Sequence, residues 1–398
     1  MRRLLELVKG GVGTTIDFEG RYKALSSNRN QYLDAGREYS KLSLPYILPE
    51  TDGAQSQSAN QHGYQSIKAR AVNHLSNKLT ATMFPVNRSF FKLGFEQNTE
   101  ADLRAAGYEP TDLAQFLVEA EKKAENLQDK YAARVAYVSA FKNLLISGNV
   151  CLYVPQKDFI QAISLSHYCC RRSMSGKLIE LIIEERKNFS SMTTEIQDML
   201  KKLKGPGVCK DDDQVTLYTW ACQIDADTFG VTQSCLGVQI KPWQEIPTDD
   251  LPWIPLMWNH THGEDYGRGL MEDNAGDAYV IEFLSEALAK GMALMADIKY
   301  FLKPGSTIDI DEAIGSPTGQ WLSGNIEDIG VLQLEKYADF KPIAEVLAEY
   351  KKGIGQAFLM NSAVRRDAER VTTVELRIDA QELETSLGGV YTLLAQTM

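Results

Sequence analysis

The sequence has no run of about 18 apolar residues, the length a helical membrane crossing needs, so it offers no transmembrane helix and no membrane partner is expected. It has five histidines in 398 residues and six cysteines, none in a C-x-x-C pair. That excludes a zinc ribbon and a thioredoxin-type motif. Cys169 and Cys170 are adjacent, which is poor geometry for a disulfide or a shared metal, and Cys151, Cys209, Cys222 and Cys235 stand apart. Reduced thiols in a cytosolic compartment are expected. Arg2-Arg3 and Leu4-Leu5 open the chain, but Glu6 interrupts a stretch too short for a signal peptide. Positive charge is also in deficit: 42 Lys and Arg against 53 Asp and Glu give −11. A protein that grips nucleic acid all over its surface needs clustered cations against phosphates. An acidic wall instead repels phosphate and prevents sticking, although an ordinary acidic protein has the same composition. There is no G-x-S-x-G elbow, H-E-x-x-H or kinase set, and Asp227-Thr228-Phe229-Gly230 is not a D-F-G match. No carboxylate pair is singled out for acid–base work, so an enzyme is not expected. No internal repeat or dominant low-complexity tract is present.

What is there is a chain with 44% hydrophobic and 24% charged residues, the balance of a globular protein. Its length allows two or three compact units or one elongated subunit of several parts. Residues 18–40 are polar and helix-compatible, and Leu44 to Gly53 reads as a loop. Ile67, Val72, Leu75, Leu79 and Met83 recur at helical spacing until Pro85, and Arg88 to Leu93 reads as a short strand. One long amphipathic helix is expected from an N-cap at Thr111 through Leu113, Phe116, Leu127 and Val138 to Leu145, stopping at Gly148. Residues 155–260 read as mainly β, with strands at 177–185 and 214–223 and a polar helix near 192–204. Leu270 to Tyr300 reads as one helix of about 30 residues, or about 45 Å, bearing Glu272, Asp273, Asp277, Glu282, Glu286 and Asp297 against only Lys290 and Lys299. A short β-like region, 308–334, follows, then a helix from about Pro342 to Leu359. Residues 361–371 form a basic polar break. Thr372-x-x-Glu375 is a capping box that restarts a helix, expected to pass Gly388-Gly389 and reach Met398 without a stop signal.

Two short patterns invite chemistry. Lys9 to Thr15 (KGGVGTT) resembles the glycine-rich loop of partition-type ATPases, the alternative reading being a nucleotide-binding enzyme of that kind. Phosphate cradling wants a lysine just before the Ser or Thr that meets magnesium, and that position holds Thr14. A flexible N-terminal arm is the favoured reading. His260-x-His262, followed by Glu264-Asp265, could place two imidazoles on one side of a metal, but a third and fourth ligand are missing. No metal and no cofactor are expected.

Six segments, in order and spanning most of the chain, resemble the portal, or head-to-tail connector, proteins of short-tailed, podovirus-type bacteriophages. They are Pro45 to Gly53, Val72 to Leu93, Gly148 to Pro155 (GNVCLYVP), Gly263 to Asp277 (GEDYGRG and MEDNAGD), Gly324 to Lys336, and Phe358 to Tyr391 with NSAVRRDAERVTTVEL and ELETSLGGVY. The resemblance implies an α+β portal fold of long helices and small β parts, with wing, stem, clip and crown. It implies a ring, usually of twelve copies, at one capsid vertex. That ring passes double-stranded DNA during packaging and ejection. The expected partners are the terminase packaging motor, a tail adaptor protein, the major capsid protein and internal core proteins. Assembly is expected in the host cytoplasm and residence in the virion. The implied parts are a wing at 1–265, a stem helix at 266–300, a clip at 301–336, a second stem helix at 337–360, a channel loop at 361–371 and a long wing helix at 372–398. A crown beyond it is expected to be absent or truncated. Glu272, Asp273, Asp277, Glu282 and Glu286 become candidate channel-lining acids. Arg365, Arg366 and Arg370 become candidate DNA contacts on the channel loop, and Thr372 with Glu375 becomes the cap where the wing helix restarts. An unrelated capsid or scaffold protein would share the composition but not the ring.

Overall fold

Two antiparallel sheets and a group of packed helices meet at one glycine-rich joint, from which a helical hairpin departs. The computed structural model describes residues 8–50, 63–85, 91–95, 109–155, 158–205, 213–296, 299–305, 329–332, 337–360 and 385–397, with a few single positions besides. Helix α1 (Phe18–Leu42) starts at Asp17, whose carboxylate accepts from the Gly20 N–H at 2.7 Å. Helix α2 (Ile67–Met83) buries Val72, Leu75, Leu79 and Met83 at the expected spacing. Phe91 to Leu93 is not a strand, and Arg88 to Phe90 lie outside the described residues.

The long helix expected from Thr111 to Leu145 is two helices. They are α3 (Pro110–Lys130) and α4 (Ala133–Ser147), separated by Ala132 at φ 50°. The start also differs: Glu109 is the cap residue, Pro110 occupies the first turn and Thr111 lies inside. The break reflects burial. In α4, Ala136, Tyr137, Ala140, Phe141, Leu144 and Leu145 are all buried, whereas α3 buries Leu113 alone on its amphipathic face. A left-handed residue lets α4 enter the core while α3 stays at the surface.

The β part follows. Strand β1 (Asn149–Tyr153) is flanked by β2 (Gln161–Ser164) and β9 (Trp253–Met257), both antiparallel. The larger sheet runs β3 (Tyr168–Arg172), β4 (Leu178–Asn188), β5 (Gln214–Asp225), β6 (Thr228–Cys235) and β7 (Val238–Gln239), with β8 (Gln244–Pro247) also paired to β6. Helix α5 (Thr194–Lys204) packs beside it. The period-2 alternation of strands sorts the sheet's two faces. Leu181, Ile183, Ala221 and Val231 pack with Leu33 and Tyr266, while Ile182, Trp220 and Cys222 pack with Phe18 and Tyr22.

Leu270 to Tyr300 is likewise not one helix. The chain forms a single turn, α6 (Leu270–Asp273), then α7 (Ala275–Ala296). The Asn274 side chain turns back to donate to the Leu270 carbonyl at 2.9 Å, which competes with a continuous helix. Tyr300 falls in a strand, β10 (Lys299–Leu302), paired antiparallel to β11 (Ile329–Leu332). The β region thus begins before residue 308. Helix α8 (Tyr337–Ala357) starts ahead of Pro342, which lies within it. Helix α9 (Gly389–Thr397) begins after Gly388, which sits in a turn at φ 60° and interrupts the expected continuous helix. Helices α2, α4, α7 and α8 share one core with Val150, Leu152, Leu256 and Trp258.

The joint lies where α4 ends. Gly148 closes that helix at φ 75°, and a Cβ there would lie 2.4 Å from the Arg268 carbonyl carbon. Its carbonyl accepts from the Trp258 N–H at 2.9 Å. Buried Asn149 clasps Gly267 twice, accepting its N–H and donating to its carbonyl, each at 2.7 Å. A Cβ on Gly269 would meet the Ile146 and Leu145 carbonyls at 2.7 and 2.8 Å. The large sheet joins in through Arg172, which donates to the carbonyls of Pro255 and Asp265 at 2.8 and 3.2 Å. The Cys170 N–H donates to the Tyr266 hydroxyl at 2.9 Å. Asn149 and Gly267, 118 apart in sequence, are thereby locked together just before α7 leaves.

A second polar anchor sits in the large sheet. Glu180 is fully buried and accepts from Arg21 at 2.9 and 2.6 Å and from the Trp220 indole at 2.9 Å. Burial alone would raise its carboxyl, but the hydrogen bonds from Arg21 and Trp220 outweigh it and hold the group below the usual carboxylate range.

Two outcomes are expected. Gly269→Ala, which adds a methyl against backbone atoms that cannot retreat, destabilises by about 3 kcal/mol. Gly353→Ala, whose Cβ would meet Asp277 at an ordinary 3.5 Å, stabilises by about 0.5–1 kcal/mol through helix propensity. Chemical denaturation midpoints of the two variants therefore shift in opposite directions. Because Glu180 is depressed in the folded state, its contribution is complete above the ordinary glutamate value of about 4.3 and drains away as pH falls below it. Wild-type stability should drop more steeply across that window than that of Glu180→Gln, whose baseline at neutral pH is lower by about 3–5 kcal/mol.

Candidate functional site

Helices α7 and α8 pack side by side, and the β10–β11 pair lies between them in sequence. Ala278 and Ile281 of α7 and Leu347 and Ile354 of α8 face the shared core. Gly353 on α8 lies beside Asp277 of α7, at a distance where a Cβ would make ordinary contact with the carboxylate.

The five candidate acids have different surroundings. Glu272 pairs with Arg268 at 2.7 Å, and Arg268 also reaches Glu264 at 3.1 Å. These hydrogen bonds raise the Arg268 guanidinium and lower the Glu264 carboxyl. Glu286 pairs with Lys290 at 2.6 Å, one turn on. Glu282 does not present a bare carboxylate to solvent. One oxygen accepts from fully buried Lys68 and the other from the Tyr64 N–H, each at 2.5 Å. The carboxylate thereby fixes the start of α2 to the middle of α7. Asp277 is half-buried beside α8, and Asp273 is exposed. Three of the five acids thus have a cation of the same chain at hand, and opposite charges this close largely cancel at a distance.

Sequence reasoning noted Lys290 but missed Lys68 and Arg268. Lys68 occupies the register of the apolar stripe Val72, Leu75 and Leu79, which is the signal that its ammonium is buried and needs a partner. Arg268 stands four residues from both Glu264 and Glu272, a spacing legible in the sequence. Arg365, Arg366 and Arg370, and the cap residues Thr372 and Glu375, lie outside the described residues.

The competing patterns take ordinary structural roles. Lys9 to Thr15 is not a phosphate cradle. The Gly13 N–H donates to the Gln239 carbonyl and the Ile16 N–H to Gly237, each at 2.9 Å, and Gln239 returns a bond to Thr14. Thr15 bridges Val238, so the arm extends the sheet edge at β7, with Ile16 and Phe18 buried. His260 lies against the backbone of Gly176, and His262 is exposed. Among the described residues no three His, Cys, Asp or Glu side chains converge on a metal position. Cys169 and Cys170 point to opposite faces of the large sheet. Burial pushes their thiols up to about 12 and about 11, which keeps both protonated and unreactive at neutral pH.

Comparison with known proteins agrees with the segments singled out in the sequence. Residues 16–398 match the family model described as bacteriophage head to tail connecting protein. The portal protein of Enterobacteria phage SP6 is 40% identical over 377 residues, covering 95% of this chain and 73% of that protein. The portal protein of Escherichia phage T7 is 28% identical over 388 residues, covering 95% of this chain and 71% of the other. Among solved structures, a chain from the neck of an empty gene transfer agent particle aligns over 84% of this chain and 76% of its own length, with a TM-score of 0.37 and 11% identity. With GNVCLYVP and GEDYGRG meeting at the joint, and a family match running from Ile16 to the last residue, the chain belongs to the bacteriophage head to tail connecting proteins, the portal proteins of podovirus-type phages.

Proposed function

We propose that this chain is a structural, non-enzymatic subunit of a ring, of about twelve copies as the resemblance implies, at one capsid vertex. DNA enters through the ring's axis during packaging and leaves through it at ejection. The packaging motor and then the tail attach to the ring. The observation that carries this reading is the match of 95% of this chain to 73% of the SP6 portal protein, together with a helical hairpin rooted in a rigid joint. On this reading the joint marks the wing–stem boundary near residue 266, α7 and α8 are the stem, and the β10–β11 pair belongs to the clip.

The lumen chemistry follows. A duplex passes freely only if the wall offers no deep binding wells, which mild repulsion ensures. In this scheme Asp273 and Asp277 supply most of that repulsion, because Glu272, Glu282 and Glu286 have cations at hand. Arg365, Arg366 and Arg370 on the channel loop make weak phosphate contacts at a constriction, repeated around the ring. A partition-type ATPase is disfavoured, because the Gly13 amide bonds to the sheet and those of Gly11 and Thr14 bond within the arm.

Light scattering of the purified protein should give a mass many times the 44.5 kDa of one chain; a monomer at every concentration would contradict the ring. Replacing Arg365 and Arg366 with Glu should leave that mass unchanged while DNA packaging or retention falls about tenfold or more, the scale of losing phosphate contacts. Unchanged packaging would remove the role given to the loop.

A further inference from the structure

A head-to-tail contact repeated around an axis is heterologous: each subunit meets its two neighbours through two different faces. Among the described residues, two helices carry exposed large apolar side chains in helical register. On α3, Phe116 and Leu127 are 63% and 47% exposed and share one outer stripe with Lys123. On α7, Ala278 and Ile281 point into the core, while Phe283 and Ala287 lie on the opposite side, with Phe283 70% exposed; Tyr279, nearer the start of that side, meets Glu38 of α1. Met292, though exposed, lies on another side of that helix. Such stripes on a folded chain mark surfaces made to be covered.

We propose that the outer stripe of α3 in one subunit packs against the outer stripe of α7 in the next, a pairing that rests on the ring reading. The two helices match in length, with 21 and 22 residues, so each is a rod about 30 Å long. Charge also matches: Lys123 lies within one stripe, and Glu286 lies one turn beyond Phe283 on the other. The Glu286–Lys290 pair within one subunit is exposed and worth little, so Glu286 is available to exchange partners. Strips about 10 Å wide along the whole of both helices would bury on the order of 600 Å² in total, so the contact buries at most roughly half of what a lone stable pair needs. One such contact therefore does not hold a dimer. A closed ring, in which every subunit makes the contact twice, is the assembly it fits, and the occupant of each stripe is a second copy of this chain.

The test is a cysteine pair in the assembled protein. Of the six native cysteines, the five described are buried, and Cys209 is replaced by Ser in every variant. Rings of a Phe116→Cys/Phe283→Cys variant, mildly oxidised, should give a ladder of covalent multimers on a non-reducing gel, and either single variant should give none. A second pair at exposed positions, Lys123→Cys/Ala287→Cys, gives the same readout with the core untouched. Rings seen by microscopy with no ladder from either pair overturn the α3–α7 contact and leave the ring standing. Cross-linked dimers from one single variant overturn the head-to-tail arrangement. Absence of rings in the unmodified protein overturns the ring reading itself.

Discussion

Everything distal to the sheets depends on the contact between Gly148-Asn149 and Gly267-Arg268-Gly269. Backbone meets backbone there at distances that no Cβ could share, and Asn149 saturates both polar groups of Gly267. A contact made of main chain and one buried amide has little freedom to bend, because no side chain can rotate to relieve it. Helix α7 begins six residues beyond Gly269, so the direction of the hairpin is inherited from this clasp. Glu282, reaching Lys68 and the Tyr64 amide, fixes the same helix a second time, about two turns further along.

These two fastenings change how the acids of α6 and α7 are understood. Counted along the sequence, they make a continuous negative face. In three dimensions Glu282 is an internal strut and Glu272 is one arm of a three-residue ion network around Arg268. The Lys68–Glu282 pair, with its ammonium buried and its carboxylate partly exposed, is weak evidence for net stability but strong evidence for a fixed arrangement, since removing Glu282 leaves the ammonium buried without its acid. On the proposed function, in which a polyanion moves past this helix, a fixed arrangement is the useful property.

Several parts of this architecture were legible in the sequence. The spacing of Val72, Leu75 and Leu79 gave α2, the β-branched runs gave β4 and β5, and Gly148 was readable as a helix stop. The breaks were not. Ala132 has no local feature that demands φ 50°, and it adopts that angle because α3 and α4 have different surroundings. Asn274 looked like one more helix residue until its side chain competed for the Leu270 carbonyl. The joint itself was visible only as two glycine-bearing segments far apart in the chain. Nothing local says that they touch, because register between distant segments is set by the whole core. The acids were identified by type and two of the cations that answer them, Lys68 and Arg268, were overlooked, since Lys68 hides within an apolar stripe.

The central claim is that the glycine–asparagine clasp aims a pair of helices along a common axis around which copies close. Electron cryo-microscopy of the purified, assembled protein tests it most directly. The account expects a symmetric particle with an open bore wide enough for a duplex, α7 and α8 running beside that bore, and the clasp at the level where the ring narrows. A particle without a bore, or one with both helices on its outer rim, would contradict it.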